Sequence, residues 1–216
     1  MSGSRRLLLT GFEPFGGGTI NPSGEVARAL DGVELAGGRI IGRVLPVSFA
    51  RLPALIVDLI ETTAPDALLG MGLAGSEPAI RLEQVAINRA HSEVADNDGD
   101  APVNRPLDPA GPAGRIASLE LEPLVAGLRA AGIPARLSFH AGTHCCNLWL
   151  YHALGALERG GRAMPCGFVH LPSLPTQALD GAQASMPLDV MMRALRLIAD
   201  AALALPGARG AAPLPV

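Results

Sequence analysis

Three cysteines and five histidines carry most of the covalent chemistry open to this chain, and two of the cysteines, Cys145 and Cys146, are adjacent. They lie in His140-Ala141-Gly142-Thr143-His144-Cys145-Cys146-Asn147, which leaves a strand, turns on Gly142 and enters a helix with the apolar face Leu148, Leu150, Tyr151 and Leu154. A thiol in a first helical turn meets unpaired backbone N–H groups and the positive end of the helix dipole, which favour a thiolate. The same N–H groups could stabilise an oxyanion. The competing reading of either cysteine is a buried apolar residue. For Cys145 that reading is the stronger one, because neighbours at a helix start point in different directions. An odd cysteine count argues against a disulfide framework.

An activated thiol needs a base, and a base needs a group to orient it. His170 ends the apolar strand Gly167-Phe168-Val169 and precedes Leu171-Pro172, so it would stand on a rigid platform at the sheet edge. A lone histidine there could equally be structural. Glu83, in Arg81-Leu82-Glu83-Gln84-Val85-Ala86-Ile87-Asn88, could supply the orienting carboxylate; from spacing alone it could also be a solvated acid. A metal site is a rival use of the same side chains. Zinc accepts the ligand types offered by His140 with His144 and by Cys166 with His170. The Gly142 turn, however, breaks the helix that would put His140 and His144 on one face, so no metal is expected.

The turn Gly11-Phe12-Glu13-Pro14-Phe15-Gly16-Gly17-Gly18 has P-loop glycine spacing, but Gly17 stands where the lysine belongs and Gly18 where serine or threonine belongs. With Glu13 at the second glycine position of the dinucleotide fingerprint, that motif fails too, and no nucleotide cofactor is expected. Phe12 and Phe15 stand out in a chain with 3% aromatic residues. They either cap the core or wall a slot for a small, flat, uncharged group.

The elements that must position these groups alternate along the chain. Leu7–Thr10 reads as a buried strand, followed after the glycine turn by a helix opened by Pro22. Arg39–Val47 reads as a strand, Phe49–Thr63 as an amphipathic helix, Asp66–Met71 as a buried strand and Ile80–Asn88 as one extended segment. Residues 96–114, rich in Asp, Asn, Gly and Pro, read as a long surface loop. Then follow a helix over Glu122–Ala131 closed by Gly132, a strand over Arg136–His140, a helix over Cys146–Leu157, a strand over Gly167–Leu171 and a helix over Leu188–Leu205. Strand–helix alternation predicts a single three-layer α/β/α domain over residues 1–205, with a mostly parallel central sheet and an Ala/Pro tail over 206–216. In such sheets ligands bind beyond the C-terminal strand ends, which brings the turns after Thr10, after Leu69 and after His140 into question together.

Bulk properties narrow the classes further. A net charge of −3 over 216 residues, with 17 scattered arginines and no lysine, leaves no footprint for nucleic acid. No apolar run reaches membrane-spanning length, and Arg5-Arg6 is followed by no signal-type hydrophobic region, so a cytoplasmic location is expected.

Taken together the segments resemble the pyroglutamyl peptidase I (pyrrolidone-carboxylate peptidase) family over nearly the whole chain. The resemblance rests on Thr10–Gly17 with Asn21-Pro22-Ser23, on Gly72-Leu73-Ala74-Gly75, on Glu83 with Val85–Asn88 and Asp96-Asn97, on Ala141-Gly142-Thr143 with Cys146-Asn147, and on Gly167–His170 with Pro172 and Gln177. It implies Cys146 rather than Cys145 as nucleophile, because the family cysteine directly precedes the asparagine, with His170 as base and Glu83 as the acidic member. It further implies hydrolysis of the amide after an N-terminal pyroglutamyl residue, no cofactor and a homotetramer. The lactam would lie between Phe12 and Phe15, held by Asn21 and the backbone near Leu73. Four departures bear on specificity. Gln84 replaces an arginine after the glutamate, Glu77 and Glu93 align with family arginines, and His144 replaces an aromatic of the substrate slot. A related thiol amidase for another small cyclic or N-acyl amide, or a non-catalytic protein keeping the pocket, are the alternatives.

Overall fold

The structure, a computed structural model, describes residues 4–181 and 183–205. Its central strand shows why the apolar runs are continuous. Leu7 and Leu9 enter one core and Leu8 the other, so both faces of the strand are covered. In chain order the elements are β1 (Arg5–Phe12), α1 (Pro22–Leu30), β2 (Glu34–Leu35), β3 (Gly38–Leu45), α2 (Leu52–Thr63), β4 (Ala67–Leu73), β5 (Ile80–Glu83), β6 (Val85–Ile87), β7 (Gly114–Ile116), α3 (Leu121–Ala130), β8 (Ala135–Ser138), α4 (Cys145–Arg159), β9 (Cys166–Leu171) and α5 (Leu188–Ala204).

Seven strands form the main sheet in the order β2-β3-β1-β4-β9-β5-β8. The β3–β1, β1–β4, β4–β9 and β5–β8 pairings are parallel, whereas β2–β3 and β5–β9 are antiparallel. Helices α1, α3 and α5 cover one face around Leu9, Leu69, Met71 and Leu195. On the other face α2 and α4 pack on Leu8, Leu68 and Phe168. This is the mostly parallel three-layer α/β/α domain that strand–helix alternation predicts.

Two glycines set how closely α4 approaches the sheet. A Cβ on Gly70 would lie 2.6 Å from the Trp149 ring, and one on Gly72 would lie 2.6 Å from Cys146 Sγ. The side chains of α4 therefore fill space that any larger residue on β4 would take.

Several boundaries differ from the sequence expectation. The helix expected from Phe49 begins at Leu52: the Ser48 side chain and carbonyl receive Arg51 N and Leu52 N, leaving Phe49 outside in the core. Ile80–Asn88 is two strands in two sheets, because the Gln84 backbone bridges them, donating to Ser138 O and accepting from Ala117 N. The run of alternating residues continues through that switch, so periodicity cannot mark it. The helix at Cys146 starts one residue earlier and reaches Arg159. Residues 96–114 are fixed at several points, including an Ala90–Arg105 bridge. The expected tail, 206–216, lies outside the described residues.

Candidate active site

Three adjacent strands bring the chemistry together. β4 carries Gly72, over which Cys146 Sγ sits. Its neighbour β9 carries His170, in register with Gly72. On the next strand, β5, Arg81 stands opposite His170 and Glu83 lies two residues further on the same face. A diagonal reach of this size suits long side chains, and His170 Nδ1 meets Glu83 Oε1 at 2.7 Å.

Each strand end is fixed by its own contacts. Cys146 occupies the first turn of α4, after His144 at the N-cap and a left-handed Gly142 with φ +80°. Asn147 locks that turn to β6: its Oδ1 accepts from Ile87 N at 2.9 Å, and its Nδ2 donates to Ile87 O and Arg89 O at 2.9 and 3.0 Å. His170 and Glu83 are buried, at 6% and 0% exposure.

The electrostatics of the pair follow from opposing terms. Burial disfavours a charged His170, but the charge and hydrogen bond of Cys146 on one side and of Glu83 on the other overcome it. The imidazole is pushed up to about 9. Burial likewise opposes the Glu83 carboxylate. The hydrogen bond and charge of His170, helped by Ser138 and Arg81, hold it below the usual carboxylate range. Cys145 and Cys166 are different. Burial pushes both thiols far up, so neither is a thiolate near neutral pH. All three thiols are free; Cys145 and Cys166 are buried, while Cys146 is half-buried and lies beside His170.

Aromatic rings gather on His144, two residues before the thiol, as the wall of a candidate recess. Phe15 stacks on His144 with ring centroids 5.8 Å apart, and Phe49 meets the same imidazole edge-on at 5.0 Å. Burial pushes the His144 imidazole down, against weaker opposing pulls from the Val94 carbonyl and Asp96. Phe12 is buried at the end of β1 within the α2–α4 core, and Leu73 is half-buried at the end of β4. Asn21 caps α1 by accepting from Ser23 N at 3.2 Å, while its Nδ2 donates to Glu13 O at 3.0 Å. It therefore closes the glycine turn onto the helix behind it.

Two contributors escape sequence reasoning. Phe49 looks like the first apolar residue of α2, and only the Ser48 cap reveals otherwise. Arg81 reads as one of many scattered arginines, although its same-parity position with Glu83 on one strand is a signal that could have found it. Asp96 receives Phe49 N at 2.7 Å, Asp98 N at 3.0 Å and Asp100 N at 2.8 Å, which ties the start of the 96–114 loop to the recess. Among the described residues no group of three or more His, Cys, Asp or Glu side chains could hold a metal ion.

A half-buried thiol at a helix N-terminus, an imidazole beside it and a buried carboxylate on the imidazole's far nitrogen define the class: a protein equipped as a thiol hydrolase. The comparisons with known proteins agree and are more specific. Residues 5–204 match the family model described as pyroglutamyl peptidase. The pyrrolidone-carboxylate peptidase of Chromobacterium violaceum is 44% identical over 92% of this chain and 93% of that protein. That of Thermococcus onnurineus is 41% identical over 89% and 96%. The crystal structure of Bacillus amyloliquefaciens pyroglutamyl peptidase I superposes with a TM-score of 0.90 at 34% identity, covering 93% of this chain and 98% of that one. The pyrrolidone carboxyl peptidase from Thermococcus litoralis gives 0.89 at 31% identity, covering 93% and 94%. The chain belongs to the pyroglutamyl peptidase family of cysteine peptidases.

Proposed function

We propose that this protein hydrolyses the amide bond that follows an N-terminal pyroglutamyl residue, with Cys146 as nucleophile, His170 as acid–base and Glu83 as the group that orients it. The observation that carries the reading is the 2.7 Å contact between His170 Nδ1 and Glu83 Oε1, on the imidazole that Cys146 also contacts. The thiolate of Cys146 adds to the pyroglutamyl carbonyl, and N–H groups of the first turn of α4 are placed to receive the oxyanion. The C–N bond then breaks as His170 gives its proton to the leaving amine. Water, deprotonated by His170, cleaves the thioester, releasing pyroglutamate and restoring the thiol.

The recess beside Cys146 suits an uncharged lactam. Phe12 and Phe15, with Phe49 behind, supply flat apolar walls, and His144 supplies a flat polar one. Asn21 fixes the turn that bears Phe15, and the β4 end at Leu73 offers backbone groups. A second reading, a thiol amidase for another small cyclic or N-acyl amide, draws on one observation: an imidazole, not an apolar ring, stacks on Phe15. Fluorogenic amides of pyroglutamate, proline and acetyl-amino acids separate the two. Hydrolysis of the pyroglutamyl amide supports the first reading, and turnover confined to another amide replaces it with the second.

The nucleophile is tested directly. Cys146→Ser is expected to lower kcat/KM by at least ~10³-fold, with Cys145→Ser near the wild-type rate. Two normal single variants would contradict the mechanism. Within the same reading the protein works in the cytoplasm as a homotetramer acting on peptides, with neither nucleic acid nor membrane as partner. No described helix is long and apolar enough to cross a membrane. Sedimentation equilibrium at micromolar concentration checks the assembly.

A further inference from the structure

Arg81 and Glu83 are two residues apart on β5, so their side chains share one face, and Arg81 is the cross-strand register partner of His170. Arg81 Nε donates to Glu83 Oε1 at 2.9 Å, the same oxygen that His170 Nδ1 meets at 2.7 Å. The guanidinium is itself held in place. It donates to Glu77 Oε1 at 3.3 Å, to Ser138 Oγ at 3.0 Å and to His140 O at 3.3 Å, and Arg136 closes the chain on Glu77 Oε2 at 2.7 Å. An exposed ion pair contributes little. This one differs because the Arg81 side chain is only 17% exposed and ends on a carboxylate with no exposure at all. The residue following the glutamate is the neutral Gln84.

We infer that Arg81 is a positioning residue for the reaction: its guanidinium fixes the Glu83 oxygen that His170 uses, so that the imidazole is presented to Cys146 in one orientation. The inference rests on the proposed Cys146–His170–Glu83 triad. A carboxylate in a cramped site can rotate and offer either oxygen. Two donors converging on Oε1, from β5 and β9, remove that freedom. Around Glu83 the charged or polar groups are His170 on β9, Arg81 on its own strand and Ser138 on β8. Cys146 on α4 lies beyond His170, and Glu77 and Arg136 lie beyond Arg81.

The test compares the wild type with Arg81→Gln and Arg81→Lys, using kcat, KM and the pH profile of pyroglutamyl-amide hydrolysis. Iodoacetamide alkylation of Cys146 across the same pH range gives a readout that needs no substrate. Arg81→Gln is expected to lower kcat about tenfold or more with KM nearly unchanged. It also removes a fixed positive charge, so the groups it faces bind protons more tightly and both limbs of the profile move to higher pH. Arg81→Lys, which keeps the charge, is expected to hold the limbs at their wild-type positions and recover part of kcat. A folded Arg81→Gln with the wild-type kcat and profile overturns the inference. So does equal impairment of both variants with unmoved limbs, the mark of a purely structural role. Should Arg81→Gln not fold, a displaced limb in Arg81→Lys overturns it and an unmoved limb supports it. Wild-type protein that is alkylated with the same pH behaviour but ignores the pyroglutamyl amide refutes the proposed substrate and leaves the alkylation profiles to decide the role of Arg81.

Discussion

At His170 burial and charge pull in opposite directions, and charge wins because two partners act on one ring. The histidine titrates at about 9 in the fold against 6.5 when unperturbed. A raised histidine contributes stability that is complete below the unfolded value. That stability is lost as pH climbs through the folded one, here between 6.5 and about 9. In the proposed mechanism the leaving amine takes the His170 proton, so kcat/KM is expected to decline with a midpoint near 9. Replacing Glu83 by Gln removes one of the charges that raise His170, so this limb should move to lower pH, opposite to the direction for Arg81→Gln. A stopped-flow pH profile of both variants checks the signs. At this scale the sequence is legible only in part. Residue type and position point to His170 at a strand end and to the Cys145-Cys146 pair at a helix start, and the family resemblance chose Cys146. Glu83 has no distinguishing local signal, because the antiparallel pairing of β5 with β9 is what delivers it. A pattern of alternating residues carries no information about which strand will lie alongside.

Among the elements, the first turn of α4 depends most on a single side chain. Asn147, itself fully buried, satisfies one backbone donor and two backbone acceptors at the β6 end. Asn147→Ala takes this partner from Ile87 N and Arg89 O, while Ile87 O keeps Arg89 N, and is expected to cost about 1–3 kcal/mol in urea unfolding, the range for one orphaned buried group. Because the same side chain aligns the turn that bears Cys146, kcat should fall in the folded variant as well. Asp96 plays a comparable part for the recess. Its three backbone bonds hold the 96–100 turn against Phe49 and beside His144. Asp96→Ala is expected to raise KM for a pyroglutamyl amide several-fold and to change kcat less, since the wall loosens while the thiol and imidazole stay in place. Helices and buried strands were readable from apolar periodicity. The switch at Gln84 and the late start of α2 were not: the Gln84 backbone finds its partners at Ser138 and Ala117, and Phe49 N is taken by Asp96, all far along the chain.

For the whole molecule, the sheet works as a ruler. β4 and β9 set Gly72 and His170 side by side, β5 brings Glu83 to His170 on the diagonal, and the close approach of α4 over Gly70 and Gly72 sets the height of the thiol above them. The fold class was legible because doubly covered strands need continuous apolar runs. The order of the strands was not, since nothing local tells β5 to enter between β9 and β8. The differing burial of the three cysteines also gives the protein a built-in counter. Cys145 and Cys166 are 2% and 0% exposed, whereas Cys146 is half-buried and lies beside the His170 imidazole. A chromogenic disulfide reagent should therefore release about one equivalent of dye from each native chain in a fast phase, and three once the chain is denatured. The fast phase counts competent chains in a preparation. The slow appearance of the other two equivalents, followed under native conditions, times how often the α2–α4 side of the sheet opens.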